Sequence, residues 1–275
     1  PTSKILCQLL DQWENQTYLV DAWQKYNDDC LNFIHAPIDE FCKMQENKID
    51  WEGSKEWLGC FLTFDGKVDK LIRLESKIHE GMIARTCHES LKDGDQFIIG
   101  NSMPIRDVDM FTSNSKYKIH TFANRGASGI DGVLSTALGI SIFKKGGNSL
   151  LLLGDLSFYH DMNGLLASRH QIDITIVVVN NKGGGIFSFL PIANMEIEKF
   201  NEYWTTNTGL DLKKVADLHG CSYDKVDSLE GLKRKIQDSF DRKGINIIEV
   251  QIDIGENVQA HQGFIEKVEK DFFSF

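Results

Sequence analysis

The most constraining stretch of the chain runs from Leu150 to Pro191 and reads LLLLGDLSFYHDMNGLLASRHQIDITIVVVNNKGGGIFSFLP. Residues 150–153 and 174–179 are apolar without alternation. A strand wetted on one face alternates; a strand buried on both faces of a parallel sheet does not. The residues between the two runs suffice for the crossover helix that parallel strands need. A right-handed crossover brings both C-terminal strand ends to one edge of the sheet, and open α/β sheets bind ligands at that edge. Asp155, after the first run, and Asn181, after the second, therefore meet although they are far apart in sequence. One offers a charged oxygen, the other a neutral one, and the carbonyl of Gly183 offers a third. Hard oxygens of this kind suit Mg²⁺, which keeps waters and phosphates in its shell. The glycines at 154, 183 and 184 let the backbone approach a phosphate closely. Amides in the turns, or at the helix start near Ser157, donate to diphosphate oxygens. The pattern predicts a site for a magnesium diphosphate.

The rest of the chain extends this unit. Candidate strands fall at 96–100, 118–122, 149–153, 174–180, 222–226 and 246–252, with helices at 130–143, 159–169, 211–219 and 228–240. Such alternation predicts an α/β fold with a doubly wound parallel sheet. Residues 67–92 read as one helix, on the spacing of Val68, Leu71, Leu74, Ile78, Met82 and Ile83. Residues 1–65 differ: they are rich in Trp, Cys and Asp, with helix-like stretches at 3–14 and 38–47 and a strand at Thr17–Val20. Phe64-Asp65-Gly66-Lys67 reads as a turn and sets the boundary between domains 1–65 and 66–275.

Charge and cysteine usage narrow the function class. A formal net charge of −10 argues against phosphate-backbone binding and so against nucleic acid. It also means that anionic substrates need local arginines against an unfavourable field. The six cysteines show no C-x-x-C spacing, which favours free thiols in a reducing cytoplasm over zinc or a disulfide framework. No run reaches membrane-spanning length, so no membrane insertion is expected. The eight histidines have no metal-ligand spacing and read as structural or surface residues. The acidic stretches at Glu196–Glu198 and Glu266–Asp271 read as solvated helix faces.

G-D-x-S followed about 25 residues later by N-N-x-G-G resembles the diphosphate motif of thiamine diphosphate enzymes. With GNSMPIR at 100–106 and NRGASGIDG at 124–132, the resemblance narrows to the menaquinone-biosynthesis branch of that family. It is strong from about residue 95 to 192 and implies a transferase, a carboligase joining decarboxylated 2-oxoglutarate to isochorismate with thiamine diphosphate and Mg²⁺ or Mn²⁺. By resemblance, Asp155, Asn181 and Gly183 hold the metal, while Gly154, Ser157, Gly184 and Ile186 contact the cofactor. Ile130 wedges between the cofactor's two rings. Arg106 and Arg125 hold substrate carboxylates, for which arginine is suited; Ser102, Phe187, Leu190 and, in the first domain, Lys4 line the substrate site. The preceding residues resemble the end of the family's central domain. Nothing resembles its N-terminal pyrimidine-binding domain, whose glutamate starts cofactor activation. The expectation is a C-terminal fragment or one piece of a split enzyme, nearly inactive alone and completed in a homodimer or homotetramer. Two alternatives stay open: another thiamine diphosphate 2-oxo-acid decarboxylase or carboligase, and a non-catalytic cofactor-binding module that pairs with a separate pyrimidine-domain chain.

Overall fold

Apolar runs without alternation need cover on both faces, and helices supply it here. The computed structural model of the chain describes residues 4–13, 17–23, 32–46, 54–144, 146–195 and 198–273. The chain divides into two compact units, Pro1–Lys67 and Val68–Phe275. In the first unit lie α1 (Lys4–Gln12), the parallel strands β1 (Tyr18–Asp21) and β2 (Asn32–His35), and α2 (Ile38–Gln45). Helix α3 (Lys55–Arg73) runs uninterrupted through residues 64–67. The turn expected there is therefore corrected. Leu58, Phe61, Leu62, Val68, Leu71 and Ile72 keep helical spacing across it, and one interior glycine costs only about 1 kcal/mol.

The second unit follows with α4 (Glu80–Glu89), β3 (Gln96–Ile99), α5 (Met103–Phe111), β4 (His120–Ala123), α6 (Val133–Phe143), β5 (Ser149–Gly154) and α7 (Asp155–Asp161). A 3₁₀ segment, Met162–His170, leads to β6 (Ile174–Asn180). Then come α8 (Leu212–His219), β7 (Ser222–Val226), α9 (Leu229–Phe240), β8 (Ile245–Gln251) and α10 (Ile254–Phe273). The strands form one parallel sheet in the order β4-β3-β5-β6-β8-β7. One face is covered by α6, α8 and the 3₁₀ segment, through Leu134, Leu165 and Val215 among others. The other is covered by α4 and α9, through Ile83, Cys87, Leu232 and Ile236. Neighbouring residues of one strand, such as Leu151 and Leu152, thus enter opposite cores. Chain order reverses between β3 and β5, so their C-terminal ends form the switch-point crevice of the sheet.

The single helix expected over 67–92 is two. Leu74 and Glu75 close α3 in 3₁₀ fashion onto Leu71 and Ile72, and the Glu75 side chain then accepts from the Lys77 N–H. His79 is extended and begins α4. No Gly or Pro marks this break, so periodicity alone runs through it. Helix α5 is an addition to the expected elements, and α10 extends the helix face expected at 266–271 back to Ile254.

Candidate functional site

Four segments meet at the switch-point crevice. The turn after β3 supplies Asn101 and Ser102, the loop before α6 supplies Ile130, and the end of β5 supplies Gly154, Asp155 and Ser157. The turn after β6 supplies Asn181, Gly183, Gly184, Ile186 and Phe187. All line one cleft. The register brings the two principal donors to one edge: Gly154 is level with Val179, so Asp155 and Asn181 follow one and two residues later, past the ends of adjacent strands, and both line the cleft.

Asp155 is almost fully buried. Burial pushes its carboxyl up to about 6, although the backbone N–H groups of Leu156 and Gly183 oppose the rise by donating to it. Asn181 donates from Nδ2 to Glu80 Oε1 at 2.7 Å, while its Oδ1 is buried without a partner. A buried orphan acceptor beside a buried carboxylate is what a hard cation would satisfy. Asn180, the other member of the N-N pair, is used elsewhere: it donates to Glu249 at 2.8 Å. The glycines form a cradle. At Gly183, with φ of 139°, a Cβ would stand 2.0 Å from the Thr205 carbonyl. Gly184 donates to that same carbonyl at 2.6 Å. No side chain fits there: the turn packs backbone against backbone on Thr205 and adds no side chain to the cleft. Among the described residues no group of three His, Cys, Asp or Glu side chains could hold an ion alone. The donor set is one carboxylate, one amide and one carbonyl, and it suits a cation that brings phosphate oxygens with it.

The Ser157 hydroxyl donates to the Ile130 carbonyl at 2.6 Å. Its proton is therefore committed to the loop that carries Ile130, and the N-cap position of α7 belongs to Gly154. Asp161 accepts from Ser135 at 2.6 and 2.7 Å and anchors the start of α6 just beyond. Phe187 packs edge-on against Trp204 at 5.4 Å, and Ile186 lies next to it in the cleft wall.

The arginines lie outside the lining of the cleft. Arg106 is on the exposed side of α5, and its guanidinium donates to the Ser102 carbonyl. Arg125, also exposed, donates to Asn101 Oδ1 at 3.1 Å. Both are tied to one turn, in which Ser102 has φ of 70°. Asn101 also donates to the carbonyls of Asn124 and Gly129 and so clamps the Ile130 loop. Leu190 is exposed and away from the cleft lining. Phe189, read as core, is half-buried against His261 at 5.2 Å. Lys4 lies in α1 of the first unit, and its side chain, like Glu196, is outside the described residues.

Sequence reasoning missed a buried polar cluster behind the cleft. Glu80 and Asp107 both line the cleft and are almost fully buried. His261 Nε2 meets Asp107 Oδ1 at 2.7 Å, and its Nδ1 meets the Asn257 carbonyl at 2.9 Å. A carbonyl only accepts, so Nδ1 carries a hydrogen and the His261–Asp107 pair shares one further proton. Burial opposes charge on His261, but the Asp107 carboxylate outweighs it and raises the imidazole. Burial, then the charge of Asp107, raises Glu80. Any proton on Glu80 belongs on the unpartnered Oε2, since Oε1 accepts from Asn181. The partners of these groups come from α4, α5 and α10, and no local spacing announces them.

Residues 108–250 match the family model described as thiamine pyrophosphate enzyme, C-terminal TPP binding domain. The chain belongs to the thiamine pyrophosphate enzymes. It is similar to three proteins named 2-succinyl-5-enolpyruvyl-6-hydroxy-3-cyclohexene-1-carboxylate synthase. That of Bacillus cytotoxicus is 37% identical over 95% of this chain and 46% of its own length. That of Listeria innocua is 39% identical over 98% and 47%, and that of Oceanobacillus iheyensis 39% over 95% and 46%. The chain spans about half the length of the curated relatives it matches. In this thiamine pyrophosphate enzyme the cleft residues of β5, β6 and the 124–132 loop all fall inside the matched segment.

Proposed function

We propose that this chain is the diphosphate-binding part of a 2-succinyl-5-enolpyruvyl-6-hydroxy-3-cyclohexene-1-carboxylate synthase of menaquinone biosynthesis. It joins decarboxylated 2-oxoglutarate to isochorismate. Residues 1–65 are the tail of a central domain, and residues 66–275 are the domain that holds Mg²⁺ or Mn²⁺ and the cofactor diphosphate. The observation that carries the reading is the buried, unpartnered Oδ1 of Asn181 beside the buried carboxylate of Asp155. These two oxygens and the Gly183 carbonyl would hold the cation. The turn at Gly183 and Gly184, without side chains, would let the diphosphate approach the backbone closely. When bound, thiamine diphosphate supplies the carbon nucleophile and the electron sink for decarboxylation.

The chain's own residues orient and shield. Ile130, pinned through its carbonyl, and Phe187, braced by Trp204, give the cleft apolar walls that exclude water. Arg106 and Arg125 present cations on the rim, where two anionic substrates need them. The shared names of the relatives support the substrate assignment. The chain works in the cytoplasm, in a homo-oligomer, and together with the sequence that its relatives carry outside the matched half; alone it catalyses little.

Two substitutions in the complete enzyme test this. Asp155→Ala should abolish retention of magnesium and thiamine diphosphate in calorimetric titration. Arg106→Ala should leave that titration near normal while kcat/KM falls. Full cofactor binding by Asp155→Ala sinks the metal assignment, and equal loss of both quantities in Arg106→Ala sinks the substrate role.

A further inference from the structure

Glu80 lies 101 residues before Asn181 in sequence, yet their side chains meet at 2.7 Å inside the cleft lining. The contact is directional. Nδ2 of Asn181 donates, Oε1 of Glu80 accepts, and the amide oxygen is thereby turned away from Glu80 with no partner of its own. An asparagine amide rotates between two nearly isosteric arrangements, and only one of them presents oxygen to a cation. Something must choose between them.

Two further constraints hold this choice. Gly185 lies against the amide: a Cβ there would stand 2.3 Å from Asn181 Nδ2 and 2.9 Å from Ile254 Cδ1. The amide group thus occupies the space that any other residue at 185 would fill. Glu80 in turn is immobilised from behind. It occupies the first position of α4, and its N–H donates to Asn257 Oδ1 of α10 at 2.9 Å. The next residue, Gly81, lies so close to the Phe111 ring that a Cβ would approach it to 2.3 Å. The start of α4 therefore cannot slide, and the carboxylate stays aimed at Asn181.

We infer that Glu80 is a positioning residue for the metal site: it fixes the Asn181 amide so that Oδ1 faces the cation. This rests on the metal role proposed above for Asn181. Outer partners of this kind govern how well a ligand is presented, and their loss weakens metal binding by about 10–100-fold. Glu80 does not touch the cation; its action passes wholly through Asn181.

The test is Mn²⁺ binding to this chain in the presence of thiamine diphosphate, with free Mn²⁺ counted by electron paramagnetic resonance. Glu80→Leu fills the volume without an acceptor, and Glu80→Gln keeps an acceptor oxygen without the charge. Asn181→Ala and Glu80→Leu should each weaken Mn²⁺ by about 10–100-fold, and Glu80→Gln should stay within about threefold of the parent. The double variant Glu80→Leu with Asn181→Ala should bind no more weakly than Asn181→Ala alone, because the effect has no other route. Parent-like affinity in Glu80→Leu, equal losses in the Leu and Gln variants, or additive losses in the double variant each overturn the inference while leaving Asn181 a ligand. Parent-like affinity in Asn181→Ala overturns the metal assignment itself, and this inference with it.

Discussion

Ser102 occupies a backbone conformation, φ of 70° and ψ of −126°, that side chains other than glycine's rarely adopt. Strain of this kind costs of order 1–3 kcal/mol and persists where the surroundings over-determine the residue. The surroundings here are specific. Arg106 draws on the Ser102 carbonyl, and Asn101 is held by three partners across the turn. A serine retained at such a point is explained if its hydroxyl faces a ligand in the cleft it lines. Ser102→Gly should raise stability to urea by about 1 kcal/mol, since glycine accepts the conformation without strain. The same change should lower turnover of the complete enzyme. Unchanged stability would remove the strain argument, and unchanged turnover would show that the hydroxyl is idle.

At the level of elements, the break between α3 and α4 places His79 in the interior, 1% exposed, with neither ring nitrogen bonded. Burial, assisted by positive charge on His261 and Lys267 and opposed by Glu75, lowers its pKa to about 4. The unfolded chain takes up this proton near pH 6.5, before the folded one does. Stability is therefore full above pH 6.5, falls between 6.5 and 4, and is flat below; the loss is about 3 kcal/mol. Urea unfolding of the parent and of His79→Leu at pH 7, 5.5 and 4.5 checks this. The variant should lack one proton's worth of the acid slope, and identical slopes would dismiss the role of His79. The same stretch shows what the sequence yields and what it withholds. Strands β5 and β6 are legible because burial on both faces leaves unbroken apolar runs, and Asp155 and Asn181 are legible because they end those runs. The α3–α4 break is not, because no residue there forbids helix. Nor is the Glu80–Asn181 contact, because four strands and the helices between them separate the two residues in sequence.

The whole molecule combines the proposed diphosphate site with a sequence about half as long as its relatives. In the proposed reading the cleft's oxygen donors serve the cation and phosphates, whereas Ile130, Ile186 and Phe187 offer the cofactor rings only apolar contact. Recognition by this chain should therefore be dominated by the tail of the cofactor. Calorimetry with Mg²⁺ should find inorganic pyrophosphate binding within about tenfold of thiamine diphosphate, a difference of about 1.4 kcal/mol or less. Addition of a polypeptide corresponding to the relatives' remaining half should tighten thiamine diphosphate selectively and leave pyrophosphate nearly unchanged, because only the ring gains contacts. A chain that alone prefers thiamine diphosphate by a thousandfold already carries its own ring-binding pocket, and its dependence on a second segment would then be wrong. A chain that binds neither ligand, with Asp155 and Asn181 intact, would mean that the cradle itself forms only when that segment is present.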